Sequence, residues 1–217
     1  MQPLTSPEAA LPAGRLFTGA SAPAEYKKRS FNLVPWGSES LLDLGSGTGD
    51  DVLSLAERLG PDTNVVGIER RLELVDEAIR RARNVALNVR FAVGDVYSLP
   101  FADRSFDVVR ADCLFQELDD HVRALREIVR VTRRGGLVLI SDREQVVLGR
   151  SAGGARTGAA TETPALLALF ERAGLVAAQI ADVFSLCESA HATGESSLGV
   201  SLSARAPLDT GLLHARR

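Results

Sequence analysis

Leu41-Leu42-Asp43-Leu44-Gly45-Ser46-Gly47-Thr48-Gly49-Asp50 is the stretch that decides the fold of this 217-residue chain. Leu41, Leu42 and Leu44 form a short apolar run of the kind a parallel strand shows when both its faces are covered. From Asp50 to Leu59 the period changes, with Val52, Leu53, Leu55, Ala56 and Leu59 at helical spacing. Three alternate glycines stand between the two patterns. Glycine takes positive φ readily and lets a ligand approach the backbone with no Cβ in the way, so strand, Gly-x-Gly-x-Gly and helix together predict a ligand platform at the strand's carboxyl end.

The spacing distinguishes two ligands. A dinucleotide site wants Gly-x-Gly-x-x-Gly, its third glycine packing helix against strand while the helix N-terminus faces a pyrophosphate. Asp50 stands where that glycine belongs, and the pair Asp50 and Asp51 at the helix start repels phosphate. Asp43, two residues before the first glycine, offers a carboxylate to a cationic ligand group, directly or through water. Alone, it reads equally as a brace for the glycine turn.

Four further segments follow in order. Asn64-Val65-Val66-Gly67-Ile68 is strand-like and ends in Glu69; a second strand pattern covers 88–93 and runs into Gly94-Asp95-Val96-Tyr97-Ser98-Leu99-Pro100-Phe101. Ser105-Phe106-Asp107-Val108-Val109-Arg110-Ala111 is another strand pattern. A helical stretch over 124–132 then leads through Arg133-Arg134-Gly135-Gly136 to the strand Leu137-Val138-Leu139-Ile140.

Taken with the glycine loop, these motifs resemble the class I S-adenosylmethionine-dependent methyltransferases over roughly residues 25–205. Within that class the pattern is most similar to the small-molecule enzymes of ubiquinone and menaquinone biosynthesis. The resemblance implies an α/β Rossmann-like sandwich: a seven-stranded, mostly parallel sheet in the order 3-2-1-4-5-7-6 with helices on both faces, its last two strands an antiparallel hairpin. It implies S-adenosyl-L-methionine as cofactor. Glu69 would accept from both ribose hydroxyls, a pairing that suits two donors to two carboxylate oxygens, although a surface carboxylate opening a helix would look the same. Asp95 would accept from the adenine amine and the Val96 N–H would bind a ring nitrogen. Asp43, Gly45, Ser46, Gly47, Gly49, Arg70, Gly94 and Ala111 would complete the cofactor's surroundings.

Composition sets limits on the partners. With 45% hydrophobic residues the chain has a core to bury, and a net charge of −3 disfavours a general nucleic-acid or membrane-surface binder. Lys27-Lys28-Arg29, Arg80-Arg81-Arg83 and Arg133-Arg134 read as solvated helix faces or helix ends. Cys113 and Cys187 give neither a disulfide framework nor zinc spacing, three histidines offer no metal site, and a reduced cytoplasmic setting is the simplest expectation. No apolar run approaches a membrane span, and the Pro- and Ala-rich start lacks the build of a signal peptide.

The domain is expected over 22–206, between a flexible tail at 1–21 and a C-terminal tail at 207–217. Helices are predicted over 25–33, 71–83 and 164–173, a mobile loop over 149–160, and closing strands over 175–186 and 197–206. Phe31 and Trp36 are expected in the core.

The acceptor side should lie beyond the fourth and fifth strands. Gln116-Glu117 stands where the resembled family commonly has Gln-His. Glu117 therefore replaces a histidine base: it acts as a base if burial raises its pKa, binds a cationic acceptor if it stays charged, or is simply solvated. His121 reads as a surface residue or a second base, and Asp112 is a third candidate. Asp142 and Arg143 either line the acceptor pocket or belong to an ordinary loop. Tyr26 either packs its helix or closes over the sulfonium as a cation–π partner. The expected activity is methyl transfer to a small-molecule O, N or C atom in secondary or quinone-like metabolism, by a monomer or homodimer. The alternatives are a methyltransferase fold turned to a reaction such as cyclisation, or a non-catalytic partner subunit.

Overall fold

The computed structural model of the chain describes residues 23–144, 149–150, 156–157, 163–185 and 198–206. Both expected tails lie outside these. The elements run α1 (Pro23–Asn32), β1 (Ser40–Leu44), α2 (Asp50–Leu59), β2 (Asn64–Glu69), α3 (Leu72–Ala82), β3 (Val89–Val93), β4 (Phe106–Asp112), a 3-10 turn (Phe115–Glu117), α4 (His121–Val131), β5 (Thr132–Glu144), β6 (Gly149–Arg150), β7 (Arg156–Thr157), α5 (Thr163–Arg172), β8 (Val176–Ser185) and β9 (Leu198–Arg205).

The main sheet is mixed and mostly parallel, in the order β3-β2-β1-β4-β5-β9-β8. β1 pairs in parallel with β2 and β4, whereas β9 runs antiparallel to β5 and β8. Alternation along each central strand divides the core into two layers. Leu42, Leu44, Val109, Ala111, Val138 and Ile140 face Leu125 and Ile128 of α4 and Phe170 of α5. Leu41, Val108, Leu137 and Leu139 face Val52, Leu55 and Ala56 of α2, together with Phe31 and Val34. A run apolar at every position, as in Leu41 and Leu42, is what such double coverage requires.

Four expectations change. α4 begins at His121, earlier than the apolar period suggests, because the Asp120 side chain caps it by accepting from the Arg123 N–H at 2.9 Å. β5 begins at Thr132, and its register against β4 jumps from Phe106↔Thr132 to Val108↔Leu137, so the Arg-Arg-Gly-Gly turn is a bulge within a paired strand. Part of the expected mobile loop pairs as the small β6-β7 ladder, and the rest lies outside the described residues. Trp36 is 64% exposed, with the Arg58 guanidinium 4.3 Å from its ring centroid; only Phe31 joins the core. No helix among the described residues is long and apolar enough to cross a membrane.

Candidate cofactor and acceptor site

β1 delivers the glycine loop to the carboxyl edge of the sheet. There the Gly45 and Ser46 N–H groups both donate to the Ile68 carbonyl at 2.8 and 3.0 Å, folding the loop across the end of β2. Gly45, Gly47 and Gly49 all have positive φ, at 72°, 53° and 84°. Their surroundings differ. A Cβ on Gly45 would lie 3.3 Å from the Leu114 side chain, and one on Gly49 would lie 2.6 Å from the Phe91 ring. A Cβ on Gly47 would meet nothing within 4 Å among the described residues. Gly45 and Gly49 are thus glycines for the protein's own packing, and Gly47 is the one that presents bare backbone to open space. Gly49 does here the helix-packing work that the dinucleotide pattern gives to the position now held by Asp50.

Glu69, at the end of β2, reaches this loop. Its Oε2 accepts from the Gly47 N–H at 3.3 Å, while Oε1 accepts from the Arg71 N–H and Nε at 3.0 and 3.1 Å. Burial pushes the carboxyl up, but the bonds from Arg71 and Gly47 outweigh it and hold the group below its ordinary value. Arg71 therefore partners Glu69, whereas Arg70, the arginine expected near the cofactor, is exposed. The signal for Arg71 was its place at the start of α3, next to the acidic strand end. Gly94 donates its N–H to the Glu69 carbonyl at 3.0 Å, which brings the Asp95 turn alongside. Asp95 is exposed and accepts from the Tyr97 N–H at 2.9 Å. Val96 and Ala111 are buried in the core, so any contact they make with a ligand is through backbone.

Asp43 is not presented to a ligand in the simple way its sequence position suggests. It is buried, and its Oδ1 accepts from Arg110 Nη1 at 2.7 Å. Arg110 is fully buried and donates Nη2 to both Asp51 Oδ2 and Asp112 Oδ2 at 3.0 Å. Lys27 of α1 adds a second cation, 2.7 Å from Asp51 and 3.9 Å from Asp112. Burial raises Asp43 to about 6 against the pull of Arg110. For Asp51 burial also raises, yet Arg110 and Lys27 prevail and the net shift is downward. Arg110, which burial would lower, is held well above the ordinary guanidinium value by Asp43, Asp112 and Asp51. Two cations, with Lys27 on the Asp51 and Asp112 side, cannot neutralise three carboxylates, so the most buried of them, Asp43, is the easiest to protonate. At the helix start, Arg81 pairs with Asp50 at 2.7 Å, so the repulsion expected of the Asp50 and Asp51 pair is largely answered by neighbouring cations.

The acceptor-side candidates separate. Asp112 is held by Arg110 and flanked by Lys27, which leaves it poorly placed to take a proton. His121 is half-buried, its Nε2 2.8 Å from the Phe115 carbonyl and its ring stacked on Phe115 at 5.6 Å. With a carbonyl as partner that nitrogen carries the proton and braces the 3-10 turn, which leaves Nδ1 as the ring atom with a lone pair. Glu117 is exposed on that turn, and no hydrogen bond or ion pair to its carboxylate occurs among the described residues. Gln116, beside it, donates to the Cys113 carbonyl at 3.3 Å. Asp142 and Arg143 prove to lie within β5, paired with Val200 and Gly199 of β9 and not in a loop. Their side chains, and that of Tyr26 in α1, lie outside what the structure describes.

Sequence reasoning missed a further device. Arg130 of α4 donates to the Leu99 and Phe101 carbonyls at 2.9 and 2.7 Å, and Glu127 accepts from the Leu99 N–H at 2.8 Å. This latch fixes the Leu-Pro-Phe segment beyond Asp95. The i, i+3 spacing of Glu127 and Arg130 on one helix face was its only sequence trace.

The methyltransferase domain family matches residues 37–187, which holds the glycine loop, Glu69, the Asp95 turn and Glu117 together. The chain belongs to that family. Among curated relatives of this methyltransferase domain, the arsenite methyltransferase of Halobacterium salinarum is 40% identical over 48% of this chain and 27% of its own length. A demethylmenaquinone methyltransferase of Lactobacillus johnsonii is 36% identical over 48% of this chain and 43% of its own. The matches thus span less than half of either relative. Among solved structures, a SAM-dependent methyltransferase from Aquifex aeolicus superposes with a TM-score of 0.60 at 22% identity, covering 82% of this chain and 88% of that one. The [4+2]-cyclase SpnF gives 0.62 at 23%, over 85% and 81%. At these identities the likeness is one of fold. The family match assigns residues 37–187 to the methyltransferase domain family, and the solved structures share its fold.

Proposed function

We propose that this domain transfers a methyl group from S-adenosyl-L-methionine to a small molecule, with an acceptor from secondary or quinone-like metabolism. The observation that carries the reading is the bare backbone at Gly47 held against the ionised Glu69 carboxylate. An open amide loop beside a buried acceptor pair suits a ligand that combines a ribose diol with a bulky neighbouring group. The names of the curated relatives, which methylate arsenite and demethylmenaquinone, support a small acceptor.

When bound, the cofactor supplies a methyl group already activated on a sulfonium. The protein's residues then have to orient, exclude water and, for some acceptors, take a proton. Glu69 and the Asp95 turn would hold the nucleoside end, and the glycine loop would support the remainder. Positioning of this kind contributes up to about 7–11 kcal/mol to such a transfer. Glu117, exposed on the 3-10 turn and not buried as a base there was expected to be, is the first candidate to receive a proton from the acceptor; Asp112 is held by Arg110, and His121 has only Nδ1 to offer.

Calorimetric titration with S-adenosylmethionine, its demethylated product and NAD tests the cofactor assignment: the first two should bind and NAD should not. Equal or tighter NAD binding overturns it. Mass-spectrometric detection of methylated products across a metabolite panel tests the acceptor class, and tight cofactor binding with no methylated small molecule would overturn that part alone.

A further inference from the structure

The glycine loop carries no side chain of its own at 45, 47 or 49, and among the described residues nothing lies within 4 Å of a Cβ placed on Gly47. Something must hold its two ends at a fixed separation. Asp43 lies two residues before Gly45, and Asp51 lies two residues after Gly49 in the first turn of α2. Arg110 grips both, Nη1 on Asp43 and Nη2 on Asp51, from the neighbouring strand β4. Strand register puts it there, for Asp43 and Arg110 are direct partners across the β1-β4 ladder. The planar, forked guanidinium can take two carboxylates at a set distance, which a lysine ammonium cannot do in the same way. The Phe31 ring lies 5.2 Å from the guanidinium carbon and packs against it.

A buried ionic cluster of this kind is poor value as plain stabilisation, because desolvation offsets most of the attraction. Its specific yield is geometry. We propose that Arg110 is a positioning residue that staples the two ends of the cofactor loop and so pre-organises it for the cofactor. Lys27, from α1, backs the same staple on its Asp51 side. The inference rests on the cofactor reading above for its functional consequence, but the staple itself can be tested without cofactor.

The experiment uses the full chain with Arg110→Lys, which keeps a cation but not the fork, and Asp51→Asn, which cuts one side of the staple only. Hydrogen exchange of the cofactor-free proteins, followed by peptide, should show the 44–53 segment exchanging about tenfold faster in both variants, while β3 and β5 keep parental protection. Cofactor Kd, and KM for the cofactor, should rise by about tenfold or more, with kcat at saturating cofactor retained. Exchange that rises equally across the sheet would make Arg110 a general stability residue and overturn the proposal. So would parental loop exchange in either folded variant. Should Arg110→Lys fail to fold, Asp51→Asn decides alone. If loop exchange rises as expected but the parent binds no S-adenosylmethionine, the staple stands and the cofactor reading falls.

Discussion

Gly47 donates its backbone N–H to Oε2 of Glu69 at 3.3 Å, so the open member of the glycine loop and the acidic end of β2 form one unit. Glu69→Ala removes a charged acceptor from the ligand and from the loop together. Cofactor affinity should fall by about 1.5–3 kcal/mol in calorimetric titration, with the fold retained by circular dichroism. Arg71→Met leaves the Gly47 bond in place and should weaken binding less; a larger loss there would mean that Arg71 is the recognition group.

The glycines should separate by phenotype. Gly49→Ala drives a Cβ to within 2.6 Å of the Phe91 ring in a left-handed backbone, so thermal stability should drop by roughly 1–3 kcal/mol or more. Gly47→Val carries the strain of its φ of 53° but no contact at its Cβ among the described residues, so cofactor affinity should fall further than melting temperature does. Parental affinity in folded Gly47→Val would show that the ligand does not pass over this residue.

Asp43 and Asp51 share one guanidinium but move in opposite directions with pH. The folded pKa of Asp43 is about 6, above the ordinary 3.8, so the native state binds more protons than the unfolded chain between these values. Its contribution favours folding in acid and is lost as pH rises through about 6. The contribution of Asp51 is present above the ordinary value and is lost as pH falls through its depressed folded value. Asp43→Asn deletes the first and leaves Asp51 with Arg110 and Lys27, the cations that lower it. The melting temperature of the variant minus that of the parent should therefore grow as pH is raised from about 4.5 to 7.5. A constant or shrinking difference would show that Asp43 titrates normally.

Glu117→Gln should leave cofactor affinity at the parental value, since the residue is exposed on the 3-10 turn away from the glycine loop's own bonds. If it receives the acceptor's proton, turnover with the true acceptor should fall by about 10²- to 10⁴-fold. Unchanged turnover would make positioning alone the source of catalysis.

Much of this molecule was legible because it is local. Asp50–Leu59 and Asn64–Glu69 are set by a change of hydrophobic period at a glycine or a turn, and the glycine loop announces itself by spacing alone. The phase of each strand also shows which residues share a face: Val108 and Arg110 alternate with Val109 and Ala111. The edge hairpin was reachable only through family resemblance, because nothing in its residues says which strand it joins.

What tertiary structure decided is which neighbour each charged residue meets. Arg110 looks in sequence like an ordinary polar position in an apolar strand, yet β1-β4 register sets it against Asp43, 67 residues away, and α2 and α1 bring Asp51 and Lys27 to the same point. The surroundings of Trp36 were decided in the same way, by Arg58 of α2 beside its ring. Periodicity fixes the direction in which a side chain leaves the backbone. The partner that waits there, and with it the charge, burial and proton of the group, depends on contacts between segments far apart in the chain.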